Sequence, residues 1–393
     1  MTEQTATEIL LMNDYQRFTL KTDKNPQTGY AGLKFSLLGL FGEVGSLLSE
    51  LKKKQRDRDS YVGYAESVME ELGDVMWYFA NIAQRAGLNL DVLAQRVSRE
   101  IEDWDIVETH DFGTFADMQS QREHVGPVSN DKFEQGAIAL AGKVGKLLDE
   151  VAGGRLKNNR DLLSAHLVDI FRAILQAADD ADVSLQEAVQ RNVAKVTSRW
   201  PIVRAYPTLF DESYDADEQV PRNIEMVITE KKVGGRTFVF QKCNGINIGD
   251  RLTDNKAEQD DYRFHDVFHL AYAAILGWSP VTRSLFKVKR KSTPKIDETE
   301  DGARAVLIEE GIATWIFNHA VRLKYFAAIE TLDYAILKDV KELAQGYEVE
   351  RCPLWLWEEA ILRGYEVFRF LQNHRRGIVT ANLINRSISV RGS

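Results

Sequence analysis

The stretch from Gly42 to Asn81 constrains the fold most. Leu37, Leu38, Phe41, Val44, Leu47, Leu48 and Leu51 recur at three- and four-residue spacing, the period of a helix with one face in a core. Glu43 and Glu50 are seven apart and share one face of that helix. The next helical run carries Glu70, Glu71 and Asp74, at spacings of three and four to Asp74 that again share a face. Carboxylates inside apolar helices cost free energy unless something positive neutralises them. Any one of these acids fits the wet stripe of an amphipathic helix. Their concentration on two apolar helices points to a site. A hard divalent cation holding a phosphate would supply the positive charge through oxygen ligands.

Length and composition set the frame. A chain of 393 residues allows two or three domains with a substantial core. The formal charge of −9 gives no basic field, so nucleic acid is not the expected partner. The two cysteines, Cys243 and Cys352, stand in no metal-ligand spacing, which suits a reducing compartment. The first residues are polar without an apolar core, and no apolar run of membrane-spanning length stands out. A cytoplasmic protein without membrane association is expected.

Helices are expected over Asn13–Lys21 (capped by Asn13 or Asp14), Leu33–Lys54, Ala65–Ala86 and Leu90–Trp104, joined by short links as in an antiparallel bundle. After a polar linker, the pattern repeats. Ala139–Glu150 matches Gly39–Glu50 at an offset of 100, and Leu163–Ile170 matches Met69–Val75 at about 95. Lys143 replaces Glu43, Lys146 replaces Ser46 and His166 replaces Glu71, while Asp169 keeps the place of Asp74. Lysines there repel a cation, so the second copy is not expected to hold one. The first copy ends in acids (Glu100, Glu102, Asp103), the second in Arg191, Lys195, Arg199 and Trp200.

Gly42-Glu43-Val44-Gly45, followed by Glu71-Leu72-Gly73-Asp74-Val75-Met76-Trp77-Tyr78, resembles the MazG-type all-α nucleoside triphosphate pyrophosphohydrolases, over roughly residues 13–104. The resemblance implies an ExxE on one helix and an ExxD on the next, holding Mg²⁺, with Mn²⁺ as the alternative ion. Here Ser46 stands at the second Glu of the first motif, and Glu50 lies one turn further along the same face. The implied metal ligands are Glu43, Glu71 and Asp74, with Glu50 assisting. Glu70 or Glu50 would accept a proton. Lys53, Lys54, Trp77, Asn81, Lys143, Lys195 and Arg199 would contact the substrate, although Trp77 equally fits a core position. Family members act as dimers or as tandem pseudo-dimers. A composite site is therefore expected, with carboxylates from the first copy facing Lys143, Lys146, Lys195 and Arg199 of the second. The alternative is a second copy that is only a scaffold with solvated lysines. Homo-oligomerisation stays open.

After an acid-rich linker over 201–223, Ile224–Glu230 and Arg236–Lys242 alternate around Gly234-Gly235, the pattern of a β-hairpin. His265 and His269, four apart, with Asp266 between them and Glu309-Glu310 in a later apolar helix, could bind zinc or manganese. The Glu that follows the first His in metalloprotease helices is absent. The other reading is a buried His–Asp–Glu hydrogen-bond network. The basic run Phe286–Lys295, followed by acids to Asp301, reads as a solvated loop. Residues from about 222 to 390 resemble the C-terminal domain of some MazG-like proteins of bacterial conflict systems.

The expected fold is mainly α. Tandem MazG-like four-helix-bundle repeats (1–110 and 128–205) precede a mostly helical domain with a small β-hairpin (222–393). The expected function is Mg²⁺-dependent hydrolysis of a nucleoside triphosphate to monophosphate and pyrophosphate, in nucleotide house-cleaning or phage defence. The alternative is a nucleotide-binding sensor with little turnover, its effector chemistry at His265 and His269.

Overall fold

The computed structural model describes residues 10–98, 113–119 and 130–392. The expected acids Glu100, Glu102 and Asp103 lie outside them. The chain divides into two compact units, 1–200 and 201–393.

The first unit is helical: α1 (Met12–Thr22), α2 (Gly29–Asp57), α3 (Tyr64–Arg85), α4 (Leu90–Ser98), α5 (Asn130–Ala152), α6 (Arg160–Asp180) and α7 (Leu185–Arg199). α2 buries Leu37, Val44, Leu47 and Leu51 of the expected stripe, with Leu40 in place of the exposed Leu38 and Phe41, and packs on α3 and α5. Leu140, Val144 and Leu147 do the same on α5, so both copies of the pattern share one core. α1 starts without a side-chain cap. The Met12 N–H instead donates to the Gly113 carbonyl at 2.9 Å, so a chain-distant oxygen replaces the expected Asn13 or Asp14 cap. α7 starts on Ser184, whose hydroxyl accepts from the Glu187 N–H.

Glycine sets two close approaches. A Cβ at Gly39 would stand 2.1 Å from Tyr78 Cε1, so the Tyr78 ring fills that notch in α2. A Cβ at Gly73 would stand 2.7 Å from the Ala188 carbonyl oxygen, so α7 lies directly against α3 there.

The run Gly29–Ser60 is long and apolar enough to cross a membrane by length and composition alone, which corrects the expectation that no such run exists. Core helices pass the same test. The excess apolar content has a visible source: Phe35, Leu38 and Phe41 are exposed, on the side away from the buried stripe.

The second unit joins helices to an antiparallel sheet of order β3-β2-β1-β4-β5. The strands are β1 (Asn223–Val233), β2 (Arg236–Cys243), β3 (Ile246–Asn247), β4 (Arg376–Asn382) and β5 (Ser387–Arg391). Val233 pairs with Arg236, which leaves Gly234 and Gly235 as the turn at φ 59° and 81°. The expected hairpin is thus two strands of a larger sheet. The alternation of buried Val379 and Ala381 with Thr380 and Asn382, and the turn before Ser387, carried the signal for β4 and β5.

The helices are α8 (Asp266–Ala271), continued by a π-helical turn (Tyr272–Leu276), α9 (Pro280–Phe286), α10 (Pro294–Thr299), α11 (Ala303–Arg322), α12 (Tyr334–Leu343) and α13 (Leu354–His374). α13 packs on α8 and on the sheet in one aromatic-rich core.

The basic run is not wholly a solvated loop. Arg290 is buried, and its guanidinium donates to both oxygens of buried Asp301 and to Glu348. Burying that charge is tolerable because the fork is satisfied on both sides.

Candidate active site

α2 supplies Glu43, α3 supplies Glu70, Glu71 and Asp74, and α7 supplies Asn192 and Lys195. One carboxylate oxygen from each of Glu43, Glu71 and Asp74 lies within 4.8 Å of the others. The i, i+3 spacing of Glu71 and Asp74 puts them on one face, and the packing of α2 on α3 brings Glu43 opposite. Burial, then the Asp74 charge, pushes the Glu43 carboxyl up to about 7. Burial, then Asp74 and Glu43, pushes Glu71 up to about 8. Burial also raises Asp74, against the Lys195 ammonium. Such crowding favours any cation that enters.

Asp74 is held from α7. The Asn192 amide donates to its Oδ1 at 2.8 Å, and the Lys195 ammonium pairs with its Oδ2. Lys195 also reaches Glu70 Oε1 at 3.3 Å. The Tyr15 hydroxyl donates to Asn192 Oδ1 at 3.2 Å, which orients the amide. Asn192 was missed in the sequence. Its signal is a polar residue between buried Val189 and Val196 on the inner face of α7.

Other expected residues stand elsewhere. Glu50, one face but two turns from Glu43, is outside the cluster: it is buried and accepts from the Tyr61 hydroxyl and from Lys53 Nζ at 2.6 Å. Lys53 is therefore engaged with Glu50. Lys54 donates to the Arg58 carbonyl at 3.1 Å and lies over the Tyr64 ring. Asn81 is wholly buried: its amide donates to Asp23 at 3.0 Å and its oxygen accepts from Ser36 at 2.7 Å and from Arg85 at 3.0 Å. Both ends of that amide are engaged inside the bundle. Trp77 Nε1 donates to Thr22 Oγ1 at 3.1 Å. Lys143 is half-buried and Lys146 exposed on α5, and neither forms an ion pair among the described residues. Asp169, the counterpart of Asp74, is exposed and 3.6 Å from Arg172. The Arg199 guanidinium stacks 4.4 Å over the Trp200 ring.

In the second unit, α8 brings His265, Asp266 and His269 together, with ligand-type atoms within 4.8 Å of one another. Glu309 and Glu310 approach them from α11.

Residues 205–393 match the model of the MazG C-terminal domain. The second unit is thus similar to the C-terminal domain of MazG proteins. A curated relative, the Gene 37 protein of Mycobacterium phage L5, is 37% identical over 67 residues; the match covers 16% of this chain and 59% of that protein. The chain thus spans about 59% of the length of that relative. No solved structure matches it significantly.

Proposed function

We propose that the helical unit of this protein is a pyrophosphohydrolase that cleaves a nucleoside triphosphate to monophosphate and pyrophosphate with Mg²⁺, Mn²⁺ being the alternative. The observation that carries this reading is the convergence of Glu43, Glu71 and Asp74. The donor set fits a hard cation: three half-buried carboxylates, all oxygen, whose ionised forms repel one another. These residues would hold the ion, which would supply charge neutralisation for the triphosphate and an acidified water.

The rest of the site falls to the chain's own groups. Lys195 opposes the upward push of burial on the Asp74 carboxyl and places a cation where phosphate oxygens arrive. Asn192 fixes the rotation of the Asp74 carboxylate. Glu70, beside Lys195, takes the proton of the water that attacks the α-phosphorus. The second copy of the pattern thus contributes the cation and the amide, which supports the composite arrangement for Lys195. It gives no such support for Lys143 or Lys146.

The test is product analysis. Full-length protein with Mg²⁺ is offered each ribo- and deoxyribonucleoside triphosphate, with Asp74→Asn as the control. Monophosphate and pyrophosphate that vanish in the control support the reading, and silence across the panel removes it. A second reading, nucleotide binding without turnover, is favoured by Ser46 in the damaged motif and by the ammonium already paired with Asp74. Metal-dependent protection by nucleotide with no product would select it.

A further inference from the structure

The second unit concentrates titratable groups that triphosphate hydrolysis in the bundle does not use. His265 and His269 project from the start of α8, and Glu309 and Glu310 from the middle of α11. The hydrogen bonds fix how each imidazole is turned. His265 Nδ1 lies 2.9 Å from the Tyr262 carbonyl oxygen, which can only accept, so Nδ1 carries the hydrogen and Nε2 keeps a lone pair. His269 Nδ1 lies 2.8 Å from Glu309 Oε1. Glu309 is fully buried, and it also accepts from the Ser279 hydroxyl at 2.7 Å and the Val281 N–H at 2.8 Å. His269 therefore presents Nδ1 to this carboxylate, and its Nε2 faces the other way.

The two Nε2 atoms converge. His265 Nε2 is 3.2 Å from Asp266 Oδ1 and 3.8 Å from Glu310 Oε2. His269 Nε2 is 3.5 Å from the same Glu310 oxygen. It is buried in a residue only 2% exposed, and that long approach to Glu310 falls short of good hydrogen-bond geometry. A buried ring nitrogen so poorly partnered costs free energy, and a bound ion would satisfy it. Donors held about 2.1 Å from a tetrahedral ion stand about 3.4 Å apart, within the 3.2–3.8 Å range of the separations above.

The back of each ligand is also built. Carboxylate and carbonyl partners on the distal imidazole nitrogens are what orient metal-bound histidines. The second oxygen of Asp266 accepts from the Gln241 amide. The front opens on a cavity of about 970 Å³ lined by Tyr262, His265, Asp266, Glu310 and Thr314. That volume suits a small-molecule site.

We propose that His265, Asp266, His269 and Glu310 form a centre for one first-row divalent transition metal, with a coordination position open to this cavity. Two imidazole nitrogens beside carboxylates select zinc, manganese or iron over magnesium. Asp266 takes the sequence place of the metalloprotease glutamate and sits among the ligands, so the centre is a different construction from that helix. The open position would hold water or an oxygen ligand from a substrate in the cavity. The competing structure is a closed network in which a charged His269 bridges Glu309 and Glu310.

The experiment uses the full chain carrying Asp74→Asn, so that the bundle carboxylates contribute little metal binding. Protein stripped with chelator is titrated with Zn²⁺ and with Mn²⁺, read by bound-metal analysis after dialysis and by thermal unfolding. One equivalent retained, with a rise in melting temperature, is expected. Glu310→Gln, whose side chain is 38% exposed and so tolerates exchange, is expected to weaken binding at least tenfold while unfolding cooperatively without metal. His269→Ala is expected to abolish binding. Substoichiometric traces with no thermal shift, or unchanged binding in Glu310→Gln and His265→Gln, would overturn the proposal in favour of the closed network.

Discussion

Lys195 of α7 pairs with Asp74 of α3 across 121 residues of sequence, and the same ammonium reaches Glu70. The pair joins the two copies of the helical pattern at the carboxylate cluster. It makes the second copy part of the proposed site even though that copy has no acid cluster of its own among the described residues.

Lys195→Met is expected to lower pyrophosphohydrolase turnover about 10–100-fold, the worth of a hydrogen bond to a charged group. Pyrophosphate release at saturating Mg²⁺ measures it. Turnover within twofold of the parent would show that the lysine only holds the helices together. Lys143→Met serves as comparison and is expected to change little.

Mg²⁺ is expected to raise the melting temperature of the parent, by about 5–10 °C at a hundredfold excess over its dissociation constant. Glu71→Gln and Asp74→Asn are expected to lose that rise together with turnover. Glu50→Gln is expected to keep both, because Glu50 is engaged by Tyr61 and Lys53 outside the cluster. A Glu50→Gln enzyme without activity, yet normally folded, would return this residue to the metal set.

Gly73→Ala tests how α7 is seated. Its Cβ would meet the Ala188 carbonyl oxygen at 2.7 Å and the Asn192 Cβ at 3.1 Å. A loss of about 1–3 kcal/mol in unfolding free energy is expected, with turnover reduced as Asn192 and Lys195 back away from Asp74. An unchanged melting curve would mean that the helices separate without cost.

Acid sensitivity is expected in the second unit. Burial raises the Asp211 carboxyl, but the Arg283 guanidinium, the Val220 N–H and Arg222 outweigh it and hold the group below its ordinary value. A depressed folded-state pKa stabilises above the unfolded value and is lost as pH falls through the folded one. Stability should therefore drop from about pH 4 downward. Asp211→Asn, which leaves two guanidinium groups short of a partner, should cost about 3–5 kcal/mol at neutral pH and flatten the acid limb of a denaturant-midpoint profile.

Much of this was legible in the sequence, for identifiable reasons. The stripe from Leu37 to Leu51 has one period and one solution, so α2 and α3 were plain. Glu43, Glu71 and Asp74 stood out because acids inside apolar helices need a cause. Lys195 was legible through the basic end of the second copy. Asn192 was not, because a lone amide on an inner face looks like many others until α3 is laid against it. Glu50 misled because a shared helical face says nothing about distance along the axis, where seven residues span about 10 Å. Arg290 misled because a basic run looks solvated unless its buried partners, Asp301 and Glu348, are known. The strands β4 and β5 went unread because their partner lies at the other end of the unit.

That last pairing has a consequence for synthesis. One edge of β1 is covered by β2, which follows it immediately, while the other edge meets β4 only at the far end of the unit, with Ile224 opposite Ala381. Until residues 376–391 emerge, β1 presents an open row of backbone donors and acceptors to any neighbouring chain. A ribosome stalled after α13 would display a sticky edge above an unsealed aromatic core, a target for chaperones and a seed for aggregation.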